Sequence, residues 1–377
     1  IGNEIDYPND PYVTPLFREV LGNNDANKPL AERLYDPRKP DAGRLATVAR
    51  KLVRIVHELD SSRPVLSALS FPELSNRTGF ADALDLSGYN YREQFYEEDH
   101  RKYPGRVILG SENSHDPAAW RAVEDHDFIS GQFLWTGADF LGECPGWPLR
   151  ISQAGALDLR GREKPLFVQR QALWTKEPIA RLAVSGAETE DRGAWGETFR
   201  WEGHPGEEKR VACYTNQPEA ELLLNGRSLG RQAVSRESGF RAIWTVPYED
   251  GVLEVRAGEI RDRLATPGKA VRIMVDAERK KIKADGRDVL QMEVFLLDGQ
   301  GNPARDEAIY AQVTGDLTLL GMENGRPDDL TPYFLAWRLT REGSVTVYLR
   351  AGEVPGKVCC HFRTKDGLTA DWQGRQA

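Results

Sequence analysis

Cysteine is scarce in this chain: four residues in 377, at Cys144, Cys213, Cys359 and Cys360. No two have the CxxC spacing of a zinc or redox motif, and adjacent Cys359 and Cys360 are badly placed to bridge each other. The pattern excludes a zinc module and a disulfide scaffold and leaves four free or buried thiols. No apolar run approaches the roughly 20 residues of a membrane span. No sign of charge dominates strongly, with 50 Lys and Arg against 58 Asp and Glu. The net charge of −8 is spread along the chain, which argues against a general nucleic-acid binder. No signal segment or initiator Met is present, so targeting cannot be read, and a cytoplasmic, periplasmic or secreted location stays open. What is abundant is apolar mass. Hydrophobic residues make up 40% of the chain, enough for two or three domains with real cores.

The first 175 or so residues differ in character from the rest. In "DAGRLATVARKLVRIVHEL" (41–59), Leu45, Val48, Ala49, Leu52, Val53, Ile55, Val56 and Leu59 recur at helical spacing. Short apolar segments near 65–69, 84–88, 107–110 and 131–135 follow at intervals of roughly 20–25 residues, with helical or loop sequence between them. Asp116-Pro117 reads as a helix start, with Asp as N-cap and Pro in the first turn. Strands alternating with crossovers predict parallel βα units. After Pro178 the helical period gives way to short alternating strands. Asn225-Gly226 between leucines is a hairpin signal, and Asp285-Gly286 and "DGQGNP" are further turns. Two successive immunoglobulin-like β-sandwiches are expected, with seams near 178 and 267. Trp195, Trp201, Trp244 and Trp337, at strand-like positions, are expected in their cores.

Each apolar segment of the first part ends in residues that a core does not favour: Tyr89-Asn90-Tyr91, Ser111-Glu112-Asn113 and Trp135. The opening Ile1-Gly2-Asn3-Glu4 reads as a strand end of the same kind. Barrel enzymes build their sites at the C-terminal ends of strands. Glu4 and Glu112 form the candidate catalytic pair. Two carboxylates facing each other can cleave a glycosidic bond, one as the ionised nucleophile and the other as the acid that protonates the leaving oxygen. Alone, either Glu would read as a solvated loop carboxylate.

The layout resembles glycoside hydrolase family 2. "GQFLWTGADFLGE" (131–143) resembles the family's strand-eight signature, "DLSGYNY" (85–91) its strand six, and "GALDLRGREKPLFVQRQALW" (155–174) the segment leading out of its barrel. "AELLLNGRSLG", "IKADGRDVLQMEVFLLDGQGNP" and "GMENG" resemble sandwich domains of family 2 β-galactosidases. The resemblance implies the C-terminal half of a (β/α)₈ TIM barrel over 1–177, from the tip of strand four to strand eight. Immunoglobulin-like sandwiches would follow at 178–267 and 268–377.

By resemblance, Glu4 is the acid/base and Glu112 the nucleophile of a retaining exo-β-galactosidase. Asn3 would bind the sugar 2-hydroxyl. Tyr91, or failing that Tyr89, would donate to the nucleophile. Asn90 joins them at the end of strand six. Trp135 would form an aromatic wall against the sugar, and His115 a sugar contact, unless it is an exposed loop residue. Asp139 would bind hydroxyls or pair with an Arg, and Trp147 would line the pocket or pack in its loop. Glu143 is expected to be structural and Trp120 core.

An Asn-x-Lys element that grips the carboxylate in glucuronidases is absent after strand eight, although Arg150, Arg160 and Arg162 could substitute. A β-glucuronidase or β-mannosidase of the same mechanism is the alternative, and a non-catalytic carbohydrate-binding or structural fragment the rival. The chemistry needs no cofactor, and no ligand cluster can be assigned to a structural cation. The expected partners are a β-linked oligosaccharide or glycoside, the missing N-terminal portion of the same enzyme, and further copies in a homo-oligomer. Nucleic acid and membrane are excluded. A half-barrel exposes an edge and an apolar interior, so the chain is expected to be part of something longer.

Overall fold

The computed structural model describes residues 1–6, 43–188 and 194–377. The chain divides into two compact units, Ile1–Gly137 and Ala138–Ala377. Among the described residues, no helix is long and apolar enough to cross a membrane.

In the first unit, helix α1 (Arg44–Leu59) precedes strand β1 (Leu66–Leu69), and helix α2 (Pro72–Thr78) leads to β2 (Leu86–Asn90). Helix α3 (Tyr96–Lys102), β3 (Ile108–Asn113), α4 (Pro117–Glu124) and β4 (Ile129–Leu134) follow. The strands form one sheet in the order β1-β2-β3-β4, every pairing parallel. All four overlap the expected segments, with ends displaced by at most three residues. As expected, Asp116 caps α4, its carboxylate accepting from the Ala118 amide at 2.7 Å. The core between sheet and helices is built on Ala49, Leu69, Phe80, Tyr89, Tyr96, Ile108 and Ile129. Helix α1 turns only one edge of its apolar stripe inward. Ala46 and Ala49 are buried, while Val48, Leu52, Ile55 and Leu59 are exposed. The stripe is wider than the strip of helix surface that meets the core. Trp120, expected in the core, is half-buried, and its neighbour Ala119 takes the inward position.

In the second unit, a small antiparallel pair, β5 (Phe140–Leu141) and β6 (Ile151–Ser152), precedes helix α5 (Pro165–Trp174). The first sandwich has strands β7 (Ala180–Gly186), β8 (Glu208–Thr215), β9 (Glu219–Leu224), β10 (Arg227–Ala233), β11 (Arg241–Pro247), β12 (Val252–Ala257) and β13 (Ile260–Ala265). Its sheets, β10-β9-β12-β13 and β11-β8-β7, share a core of Leu182, Val211, Leu222, Trp244, Val255 and Trp201. The hairpin between β9 and β10 turns at Asn225 (φ 52°) and Gly226 (φ 78°), the two left-handed positions that a tight hairpin needs.

The second sandwich has β14 (Arg272–Ala277), β15 (Lys281–Ile282), β16 (Val289–Leu297), β17 (Ala308–Thr314), β18 (Leu317–Glu323), β19 (Trp337–Leu339), β20 (Ser344–Ala351), β21 (Gly356–Thr364) and β22 (Thr369–Gln376). Its sheets run β14-β16-β20-β18 and β15-β22-β21-β17-β19. Along β16, Leu290, Met292, Val294 and Leu296 are buried, and Gln291, Glu293 and Phe295 between them are half-buried. Of the four sandwich tryptophans, Trp201 and Trp244 are core, whereas Trp195 and Trp337 are half-buried. All four cysteines are free thiols.

Residues 138–177 belong to this second unit and are tied to its sandwiches. Arg150 donates to the Asp329 carbonyl at 2.7 Å, Arg160 to the Ser344 hydroxyl at 3.0 Å, and the Gln169 side chain accepts from the Ala194 amide at 2.8 Å.

Candidate active site

The opening residues lie alongside β1. The Glu4 amide donates to the Ala68 carbonyl and the Ala68 amide to the Gly2 carbonyl, both at 2.9 Å, and Asn3 pairs with Ala68 in parallel register. Asp6, fully buried, ties the opening residues to the segment from Ser70 to Ser75. Its carboxylate accepts from the amides of Ser70 and Phe71 at 2.9 and 3.0 Å and from the Ser75 hydroxyl at 2.8 Å. Burial pushes this carboxyl above its usual range, and the three donors work against that. Glu4 itself is 8% exposed and has a left-handed backbone, with φ 49°.

Glu112 comes from the neighbouring part of the same sheet. Asn90 and Glu112 are opposite each other on β2 and β3. The next residue, Tyr91, donates its amide to the Glu112 carbonyl at 2.8 Å, again from a left-handed conformation with φ 55°. Non-glycine residues rarely adopt this region, and such conformations concentrate at functional sites.

The side chains of Asn3, Glu4, Asn90, Tyr91 and Glu112 therefore converge. Asn90 Nδ2 lies 3.1 Å from Asn3 Oδ1 and 3.3 Å from Glu4 Oε1. Side chains of Tyr91, Asn90 and Asn3 all hydrogen-bond Glu112. Burial raises the Glu112 carboxyl above its usual range, and the charge on Glu4 raises it further, while the three hydrogen bonds oppose both. A Glu112 carboxyl lifted by a neighbouring carboxylate meets the electrostatic condition for dividing acid and nucleophile roles.

Tyr89 is fully buried, and its hydroxyl donates to Asp99; burial, with that carboxylate beside it, pushes the phenol well above its usual range. It faces the core beside Tyr96, with ring centroids 5.7 Å apart, and Tyr91 is the tyrosine that reaches Glu112. Alternation alone would put these two residues on one face, but Tyr91 lies past the end of β2 at Asn90 and its left-handed φ of 55° redirects it. His115 is buried between β3 and α4, not exposed on its loop. Trp135, half-buried, follows β4, and its amide donates to the Asn113 carbonyl at 3.0 Å.

In the second unit, Asp139 is buried and paired with Lys164 at 2.7 Å, and it accepts from the Gly155 amide at 2.9 Å. Trp147 is 79% exposed. Arg150 is tied to Asp329 and Tyr333, Arg160 to Asp158 at 2.7 Å, and Arg162 to Ser344. A cleft of ≈ 310 Å³ in this unit is lined by residues that include Arg162, Glu163, Arg181, Glu197 and Arg341, and by none of the expected site residues.

Two contributors lacked a sequence signal of their own: Asp6, one residue beyond the strand-like opening, and Ser111, whose hydroxyl donates to Asn90 Oδ1 at 2.6 Å. Among the described residues no group of three or more metal-ligating side chains gathers.

The chain was compared with known proteins. A glycoside hydrolase family 2 C-terminal domain 5 matches residues 273–371, and a domain of unknown function (DUF4982) matches residues 206–262. A β-galactosidase of Bacteroides ovatus is 27% identical over 366 residues, covering 82% of this chain and 41% of that protein. A β-glucuronidase of Bacteroides fragilis is 29% identical over 158 residues, covering 40% of this chain and 19% of that protein. The chain thus spans less than half the length of these curated relatives. A crystal structure of a family 2 member from Bacteroides cellulosilyticus superposes with a TM-score of 0.81 at 28% identity, covering 88% of this chain and 47% of that one. A family 2 domain matched by sequence over residues 273–371 and a family 2 member's fold matched along 88% of the chain together support a C-terminal portion of a glycoside hydrolase family 2 protein.

Proposed function

We propose that this chain carries the two catalytic glutamates of a retaining exo-β-glycosidase acting on terminal β-galactosides. On this reading residues 1–177 are the C-terminal half of a (β/α)₈ barrel. Residues 1–4 end strand four, β1 to β4 are strands five to eight, and immunoglobulin-like sandwiches occupy 178–267 and 268–377. The parallel order β1-β2-β3-β4, with Asn3 pairing beside β1, supports the barrel. The observation that carries the function is the coupling of Glu4 and Glu112 at the C-terminal ends of strands in one sheet, joined through Asn90.

Glu112 is the nucleophile and Glu4 the acid/base. The raised Glu112 carboxyl, considered alone, would favour the reverse. The hydrogen bonds argue for this assignment: Tyr91, Asn90 and Asn3 all stabilise the Glu112 anion. In the first step Glu112 attacks the anomeric carbon while a protonated Glu4 gives its proton to the leaving oxygen. In the second, Glu4 takes a proton from water, which attacks the same carbon and releases Glu112. Retention requires carboxyl groups about 5–5.5 Å apart. Asn3 binds the sugar 2-hydroxyl, and Trp135 lies against the sugar's apolar face. His115 is proposed as a further sugar contact. No cofactor enters this chemistry.

The Bacteroides ovatus relative, matched over most of this chain, favours a galactoside. A β-glucuronide is the second reading, carried by the Bacteroides fragilis relative. Hydrolysis of an aryl β-glycoside panel by the protein as the cell makes it, with Glu112→Gln and Glu4→Gln beside it, tests the proposal. Turnover that both variants lose, with azide restoring a Glu4→Ala enzyme but not Glu112→Ala as a β-glycosidase, supports the assignment. Full activity in Glu112→Gln would sink it.

A further inference from the structure

We infer that Ser111 is a positioning residue: through Asn90 it sets the direction of the hydrogen bonds that end on the Glu112 carboxylate. This rests on the glycosidase reading of Glu4 and Glu112.

The argument begins with what each group can do. An ionised carboxylate only accepts hydrogen bonds, and a side-chain amide donates only through its nitrogen. Asn90 hydrogen-bonds the ionised nucleophile Glu112, so its Nδ2 is the end that faces the site, 3.3 Å from Glu4 Oε1 and 3.1 Å from Asn3 Oδ1. Its Oδ1 then points away from the carboxylates, toward the Ser111 hydroxyl at 2.6 Å. Ser111 has to donate. Because Asn3 Oδ1 receives the Asn90 hydrogen, the nitrogen of Asn3 is the end left to donate to Glu112. The chain of donors runs Ser111, Asn90, Asn3, Glu112, and each amide's orientation depends on the one before it.

Two backbone features place Ser111 for this. Tyr89 pairs with Gly110 and Asn90 with Glu112, so Ser111 is the extra residue of a β-bulge in β3. A bulge re-aims side chains and is common beside active sites. Opposite it, Gly88 leaves the space that the hydroxyl occupies, since a Cβ on Gly88 would lie 2.6 Å from Ser111 Oγ. Asn90 is 2% exposed, so its oxygen has little access to water if the serine is removed. It either stays without that donor or the amide rotates and turns oxygen toward Glu4. Both outcomes weaken the support of the Glu112 anion.

The test uses Ser111→Ala, Ser111→Cys and Ser111→Thr in the protein as the cell makes it, with an aryl β-glycoside that the wild type hydrolyses. Unfolding midpoints are recorded alongside, and Ser111→Cys, which keeps the volume but donates weakly, serves if the alanine variant does not fold. The expected result is a fall in kcat of about 10- to 100-fold for Ala and Cys. The acidic limb of kcat/KM should move up by about one pH unit. Ser111→Thr, which keeps the hydroxyl, should hold the limb at its wild-type position. An unmoved limb in both Ala and Cys variants of an active enzyme overturns the inference and leaves the glycosidase reading intact. A wild type that turns over no β-glycoside overturns both.

Discussion

The main-chain amide of Tyr91 donates to the carbonyl of Glu112 at 2.8 Å, and the Tyr91 side chain also hydrogen-bonds the Glu112 carboxyl. One residue thus holds both the backbone and the reactive group of the proposed nucleophile. Tyr91→Phe removes the phenolic donor alone. A donor to the charged form lowers a carboxyl's pKa, so its loss raises a Glu112 pKa already lifted by burial and by Glu4. The nucleophile must be ionised, and activity disappears as pH falls through that pKa. The acidic limb of kcat/KM should therefore move to higher pH in Tyr91→Phe, with an unchanged unfolding midpoint. A limb that stays still or moves down contradicts the assignment.

Asp6 holds the segment that carries Glu4. Asp6→Ala leaves the amides of Ser70 and Phe71 and the Ser75 hydroxyl without their acceptor in a buried site. At about 1–3 kcal/mol for each buried group left unsatisfied, the first unit should lose at least about 3 kcal/mol. Urea unfolding measures this. Activity should fall further than stability alone explains, because the segment that carries Glu4 loosens.

Asp158 and Arg160 form a buried pair at 2.7 Å, their side chains 5% and 3% exposed. The arginine continues to the Ser344 hydroxyl at 3.0 Å. Removing one partner strands the other charge, so Asp158→Ala should cost about 3–5 kcal/mol in the second unit. The double variant Asp158→Leu with Arg160→Met should recover much of that loss, as calorimetry would show.

Gly155 admits no side chain. A Cβ there would lie 2.0 Å from the Asp139 nitrogen and 2.6 Å from the Leu157 carbonyl oxygen, both backbone atoms that cannot swing aside. Gly155→Ala should destabilise the second unit by about 3 kcal/mol or more and disturb the Asp139–Lys164 pair. A variant as stable as the wild type would show that this turn adapts.

Much of the fold was legible in local sequence. The β1 to β4 segments, the Asp116 cap and the Asn225-Gly226 turn each depend on a few neighbouring residues and on simple periodicity. The width of the buried face of α1 was not legible, because it depends on how much of the helix meets the core. Tyr89 shows the same limit at the site. Its place at a strand end made it a candidate, but Tyr89 is still inside β2 and meets Asp99 and Tyr96, whereas Tyr91, two residues on, has left the strand with a left-handed φ of 55°.

The sequence by itself determined which residues could do the chemistry: two glutamates and their amide neighbours, each at the end of an apolar segment. Those choices are matters of residue type and short-range order. Only the tertiary structure decided that Asn90 lies between Asn3, Glu4 and Ser111, and that Tyr91 rather than Tyr89 reaches Glu112. Those relations join residues up to 87 positions apart. They depend on strand register and on a bulge at Ser111, which no local pattern encodes, because register is set by how whole strands pack together.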